Sequence, residues 1–265
     1  MEVLRQLEHA SLIFLIVRVV LFILEATHLL IRNRLTGDLL PNTACGVIVF
    51  LTGRLLTTSV TFAMITFVAA FAPQRMATTW WVFFLTLIGA DLAFYLYHSA
   101  AHRVRLLWND HSVHHSSEEL DLSTNLRVSP FVRLYSWLPI VPILLLGVNP
   151  FLVLVCLALV NDFPFFLHTT RIGKLWRPVE FIFNTPSHHR VHHARNPSYV
   201  NKNFGGIFIV WDRLFGTFAT ETHPCEFGSS RPVNSNNPLT ILFSEWILLF
   251  QGWSSHADML QVLLL

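Results

Sequence analysis

The sequence predicts an all-α, polytopic membrane domain of about four to five spans, with histidine-rich polar segments on its cytosolic side that can hold two metal ions. Three observations carry that class. Of 265 residues, 53% are hydrophobic and only 13% are charged, about half the charge of an average soluble domain. The apolar residues fall in runs long enough to cross a bilayer. Fourteen residues are histidine, and most of them are clustered. This composition excludes a disordered chain, a coiled coil and a small secreted scaffold. A formal charge of +2 gives no reason to expect a nucleic-acid partner. Cys45, Cys156 and Cys225 are too scattered for a disulfide framework or a cysteine metal knuckle.

Residues 12–31 form the first expected span. A secretory signal needs a basic start and a small-residue cleavage site. Here Glu2 and Glu8 stand against a single Arg5, so the span is expected to be retained. Arg18 and Glu25 interrupt it on one helical face, and the cost of charge against lipid turns that face toward protein. A second apolar stretch covers residues 45–72, with Arg54 at its wet end, and Pro73-Gln74-Arg75 makes a turn. The third span, residues 79–97, starts with Trp80 and Trp81 and ends with Tyr95 and Tyr97, the aromatic belts of a crossing helix.

Residues 98–130 are polar. Apolar segments 131–148 and 151–167, separated by Asn149-Pro150, read as a helical hairpin, its first arm kinked by Pro139 and Pro142 and either crossing the bilayer or only dipping into it. Residues 168–235 are mostly polar again. The last apolar run, 239–250, is shorter than a span and is expected in the interface. The expected divisions are N-terminal spans (1–78), a catalytic unit (79–235) and a C-terminal interfacial helix (236–265). Fourteen Lys and Arg, from Arg32 to Arg231, then fall on the side of the histidines, against Arg5 and Arg75 opposite. The positive-inside rule puts the histidines in the cytosol.

Three strings hold the chemistry. His98-Ser-Ala-Ala-His102 closes the third span, His111-Ser-Val-His114-His115 follows, and His189-Arg-Val-His192-His193 comes later, directly after His188. On a helix, positions three and four apart share a face, so each string aims two or three imidazoles at one point. A lone histidine in such a chain is most often an ordinary interfacial residue. Two His-x-x-His-His strings arise together by chance in roughly one chain in a thousand of this composition. Neutral imidazole binds Fe, Zn, Cu and Ni, and eight are enough for two ions.

Structural zinc usually recruits cysteine, which is absent from the strings. Carboxylate di-iron bundles use two Glu-x-x-His motifs, and no such pair occurs here. A histidine-rich two-metal site with open positions suits dioxygen activation by non-haem iron. The residues alone leave zinc hydrolysis and metal transport open. Transport asks for polar ligands near the bilayer midplane, whereas these strings begin where a span ends. Hydrolysis asks for a carboxylate base, and Glu118 and Glu119 follow the second string without zincin spacing.

Longer stretches carry a resemblance: LLWNDHSVHHSSEELDLSTNLR (106–127), NTPSHHRVHHARNPSYVNKNFGG (184–206) and WDRLFGTF (211–218). Over roughly residues 80–220 the chain resembles the fatty acid hydroxylase and sterol desaturase superfamily of membrane di-iron enzymes, in particular its alkylglycerol monooxygenase branch. The resemblance implies a helical membrane domain with a cytosolic cap, two iron ions, and monooxygenation of a lipid C–H bond by O2 with an external reductant. The family's three motifs fall on His98 and His102; on His111, His114 and His115; and on His189, His192 and His193. His168 resembles the histidine that this branch places between its second and third motifs. Four residues on, where fatty acid hydroxylases carry another histidine, stands Ile172. His188 is either a further ligand or a hydrogen-bond donor beside one.

No fused cytochrome segment is recognisable, so a separate electron donor is expected, either a pterin or a cytochrome or ferredoxin. The expected substrate is a membrane lipid (fatty acyl, alkyl ether or sterol), oxidised near its polar end. Desaturation at the same centre is the alternative reaction, and non-catalytic metal binding or transport the alternative of another kind. The expected membrane is a bacterial inner membrane or the endoplasmic reticulum.

Three further candidates for the catalytic machinery are Asp91, Asn184 and Asn203. Asp91 shares a helical face with Tyr95 and His98. It is read either as a hydrogen-bond partner orienting a ligand imidazole or as the ion-pair partner of Arg18 or Arg54. Asp162, six residues before His168, is read the same way. Asp110, Asn184 and Asn203 flank the clusters and serve either as hydrogen-bond partners there or as caps and turn formers. His9, His28, His223 and His256 are isolated and incidental.

Overall fold

The computed structural model describes residues 2–31, 37–229 and 231–254; Arg32, Arg34 and His256 lie outside them. Helix α1 (Glu2–Ile31) runs thirty residues with no Gly or Pro to break it. Its apolar side chains from Leu12 to Leu24 are largely exposed, as a lipid-facing surface requires. Helices α2 (Leu39–Ile48) and α3 (Leu55–Ala69) are joined by a wider-wound turn at Val49–Arg54, and the pair bends by 54°. Thr52 and Thr57 hydroxyls donate back to the carbonyls of Ile48 and Gly53, a pattern that bends helices. Helix α4 (Trp80–Ala101) starts where the Thr79 side chain accepts from the Val82 N–H.

The 131–148 arm is no continuous helix, in keeping with the kinks expected at its prolines. It breaks into tight turns at Val132–Leu134 and Leu138–Ile140 and a five-residue helix, α6 (Val141–Leu145). Pro139 and Pro142 each remove a helical N–H donor, which confines helix to the segments that they begin. Helix α7 (Pro150–Asp162) is capped by Asn149 and continues as a tight turn to Leu167. Among the described residues, three segments are long and apolar enough to cross a membrane, or four if the bent α2–α3 pair is one span. This integral membrane protein thus has one candidate crossing fewer than the hairpin reading implies at its upper limit.

The core lies between α4 and α7. Val82, Phe83, Ala90 and Ala93 meet Leu152, Val153, Cys156 and Val160, with Trp137, Ile140 and Leu144 closing one side. Ala90 and Ala93 let the two backbones approach closely. The charges of α1 face protein as expected. Arg18 pairs with Asp162 at 2.6 Å, and Glu25 accepts from the Leu122 N–H at 2.6 Å. Arg18 is therefore the partner of Asp162 and not of Asp91.

The polar segments supply the short helices α5 (Arg105–His115), α8 (Arg177–Ile182), α9 (Pro186–His193) and α10 (Val210–Phe215). The described residues contain no strand, and Phe183 and Phe208 form an isolated antiparallel bridge. Helix α11 (Pro238–Ser254) packs Ile241 and Leu242 against Cys45 and Val113. It is fixed to α5 by Arg105–Glu245 at 2.6 Å and by the Trp246 indole donating to Asp110.

Candidate metal centre

Nine of the ten histidines expected as ligands converge, and they do so as two groups. His98, His102, His111, His115 and His192 form one; His114, His168, His189 and His193 form the other. Within each group the ring nitrogens lie within 4.8 Å of one another. The groups adjoin, with the His115 and His193 rings stacked at 4.5 Å. Each His-x-x-His-His string is divided. Helix α5 gives its (i, i+4) pair, His111 and His115, to the first group and His114 to the second. Helix α9 does the reverse, giving His189 and His193 to the second group and His192 to the first. Each string thus aims two imidazoles at one group, and the third of each His-x-x-His-His string goes to the other. At 3.6 residues per turn, i+3 and i+4 lie on opposite sides of i, about 100° apart.

Backbone carbonyls fix the rings. Nδ1–H of His98 donates to Phe204 O at 2.8 Å, and that of His192 to Lys202 O at 3.0 Å. In the second group, Nδ1–H of His114 donates to Arg127 O at 3.2 Å, and that of His168 to Pro164 O at 2.7 Å. A carbonyl can only accept, so in these four rings the neutral tautomer leaves Nε2 as a bare lone pair. The Nε2 atoms of His168 and His114 nevertheless face each other at 3.0 Å, with no proton to share. Nε2 of His102 and of His192 is buried without any partner. A cation between them resolves all of these contacts.

The spacing agrees. Nitrogens bound about 2.1 Å from one ion at right angles stand about 3.0 Å apart, and the neighbouring Nε2 pairs lie at 2.9, 3.0, 3.0, 3.1 and 3.2 Å. Among the described residues neither group includes Cys, Asp or Glu. Such an all-imidazole donor set suits Fe, Zn, Cu or Ni and not Mg or Ca.

His188 joins neither group. Its Nε2 faces Glu180 at 3.0 Å and its Nδ1 faces Thr185 Oγ1 at 3.3 Å, so the ligand reading is corrected. Asp91 touches no imidazole. Its carboxylate accepts from the N–H groups of Ile207 (2.6 Å) and Phe208 (3.1 Å) and from the Trp211 indole (2.8 Å). Asn184 donates to the carbonyls of Gly205 and Gly206. Asn203 sits at φ 59°, where Asn is tolerated, and its side chain bridges His188 O and the main chain of Ala219. All three support the 203–208 loop that presents the Phe204 carbonyl to His98. They are positioning residues for that ligand and not groups at the reacting centre.

The sequence reading missed Asp212, fully buried, which accepts from the N–H groups of Phe204 and Gly205 and from Thr217. It also missed Arg190, which forks onto Glu221 and donates to the carbonyls of Thr169 and Ile172, just after His168. Nothing in the spacing of either residue marks it. Only the tertiary approach of loops distant in sequence does so.

Burial, and then neighbouring positive groups, holds His102, His111, His115, His189, His192 and His193 well below the ordinary 6.5, and His114 at about 4. The unfolded chain therefore binds more protons than the folded one between those values. Stability from these neutral rings is complete above 6.5 and is lost as pH falls toward about 4. Metal and fold are expected to disappear together across that window, in metal analysis paired with far-UV circular dichroism. Complete metal loss near pH 6 with the fold intact would contradict this.

A family model described as "Fatty acid hydroxylase" matches residues 83–217. The alkylglycerol monooxygenase of Danio rerio is 41% identical over 179 residues, 68% of this chain and 39% of that protein. The Homo sapiens protein of the same name is 39% identical over 175 residues, 66% of this chain and 38% of the relative. The ornithine lipid hydroxylase OlsE of Rhizobium tropici is 32% identical over 141 residues, 53% of this chain and 42% of the relative. The chain thus spans about two fifths of the length of these relatives. No solved structure matches it. The two converging histidine groups lie within the matched segment, and the chain belongs to the fatty acid hydroxylase family, in its alkylglycerol monooxygenase-like branch.

Proposed function

We propose that this protein is a membrane-bound di-iron monooxygenase that hydroxylates a C–H bond of a lipid near its polar end. The observation that carries the reading is the pair of all-imidazole groups, whose unprotonated Nε2 atoms face one another at about 3 Å. Relatives named alkylglycerol monooxygenase and ornithine lipid hydroxylase support a lipid as the substrate. Iron bound by the nine histidines supplies O2 activation and C–H oxidation. The chain's own residues set the rings and keep water away. Phe204 lays its ring against those of His98, His102 and His192, and backbone carbonyls hold the tautomers of His98, His114, His168 and His192.

The regiochemistry follows from depth. His98 lies one turn from the end of α4, and His168 directly follows the Pro150–Leu167 segment. In a bilayer with a hydrocarbon core of about 30 Å, the midplane is about 15 Å deeper than those ends. A lipid in its normal orientation presents head-group carbons there, and its tail stays among the apolar side chains. We place the histidines on the cytosolic side by the basic-residue asymmetry. The donor is a separate reductant, a pterin or a cytochrome or ferredoxin.

The test is to supply lipids deuterated at known carbons to cells with and without the protein, under labelled O2, and to fragment the products. Gain of one labelled oxygen and loss of deuterium beside the head group is the expected outcome. Loss of two hydrogens without oxygen gain would indicate desaturation. Loss at the terminal methyl would overturn the depth reading, and no O2-dependent product would leave a metal-binding protein.

A further inference from the structure

The cap exposes an apolar face that the metal centre does not use. Trp176 is 74% exposed, Leu214 69% and Phe181 60%, with Phe215 and Ile182 beside them. They belong to α8, with Trp176 at its N-cap, and to α10, and the two helices are fastened into one unit. Ile209 N–H donates to Ile182 O, Phe183 bridges Phe208, and Arg213 donates to the carbonyls of Glu180 and Phe181. This unit lies alongside span α4. Phe215 stacks on Tyr95 at 5.2 Å, and Asp91 binds Ile207, Phe208 and Trp211.

At 1.5 Å per residue, Tyr95 is about 9 Å and Asp91 about 15 Å below the end of α4 at Ala101. With the loop before α10 reaching down toward Asp91, the α8–α10 unit therefore flanks the last turns of α4. On the same helix Phe84, Leu85, Ile88 and Leu96 are exposed, so its apolar face continues a lipid-facing surface. Exposed Arg171, Lys174 and Arg177 border Trp176, with charge that matches lipid phosphates. Non-helical backbone survives at this depth only if its N–H groups are satisfied by protein, which is what Asp91 does for residues 207 and 208.

We propose that the α8–α10 unit is a membrane-immersed lip, with Trp176, Phe181 and Leu214 in the acyl-head-group boundary and Lys174 and Arg177 on lipid phosphates. Its partner is the bilayer around the protein. Basic amphipathic elements carrying Trp and Phe bind there. The lip would hold lipid whatever reaction the histidines perform.

The test uses the full chain in nanodiscs of mixed zwitterionic and anionic phospholipid. Nitroxides are placed at Trp176→Cys and Leu214→Cys in a Cys225→Ser background, where Cys45 and Cys156 are buried, with Phe84→Cys on α4 as the lipid-facing reference. The lip predicts oxygen-to-nickel collision ratios at 176 and 214 within about twofold of that at 84. Collisions dominated by the water-soluble nickel complex would overturn it. So would low accessibility to both reagents, which would mean that protein covers the face. A second readout is quenching by brominated lipids, which should fall measurably in Trp176→Phe; an unchanged quench would also count against the lip.

Discussion

Replacing His193 with alanine is expected to abolish turnover, by more than about 100-fold, and to bring metal content toward one ion per chain. His193 belongs to the four-member group with His114, His168 and His189, which would be left with three imidazoles. His192→Ala is expected to stop turnover as well, but with a smaller fall in metal content. It removes one of five donors and leaves His98, His102, His111 and His115 in place. Metal analysis of the purified variants, beside product formation, reads both. Full activity at normal metal load in either variant would refute the site. Equal metal loss in the two would refute the division into five and four.

Asp91→Ala is expected to remove most of the folded protein. Two backbone N–H groups and an indole N–H, all on half-buried residues, lose the fully buried carboxylate that accepts from them. At about 1–3 kcal/mol for each stranded donor, the total is on the order of 4 kcal/mol, a large part of the stability of a domain. Asp91→Asn keeps one acceptor oxygen and should accumulate, with weakened metal retention in the His98 group. Thermal unfolding in detergent and metal content together separate the two. Parental stability in Asp91→Ala would show that the loop stands without its carboxylate.

Much of this was legible in the amino-acid order. The strings located eight of the nine converging histidines because clustered imidazoles at helical spacing are rare by chance, and the family resemblance added His168. Arg18 and Glu25 could be turned toward protein because lipid excludes them, although the partner of Arg18 could not be read. In the 131–148 arm composition sees only apolarity, whereas two prolines decide whether the backbone can stay helical. His188 is the clearest limit. It adjoins His189 in sequence, yet the turn of α9 aims it at Glu180 and Thr185. Asp91, Asn184 and Asn203 were found as residues of interest. Their work on the 203–208 loop depends on contacts between segments up to 117 positions apart.

The crossed division of the two strings makes the centre a cooperative device. Helix α5 lends two donors to one group and one to the other, and α9 lends the complement. An ion in either group therefore ties the same two helices together. It removes the freedom that the second ion would otherwise have to overcome, which is positive coupling through ordering. Metal uptake should then be steeper than independent filling, with a half-loaded form scarce at equilibrium. The proposed dinuclear reaction would gain from that arrangement, because in the parental chain a single-ion form would be the rarest species.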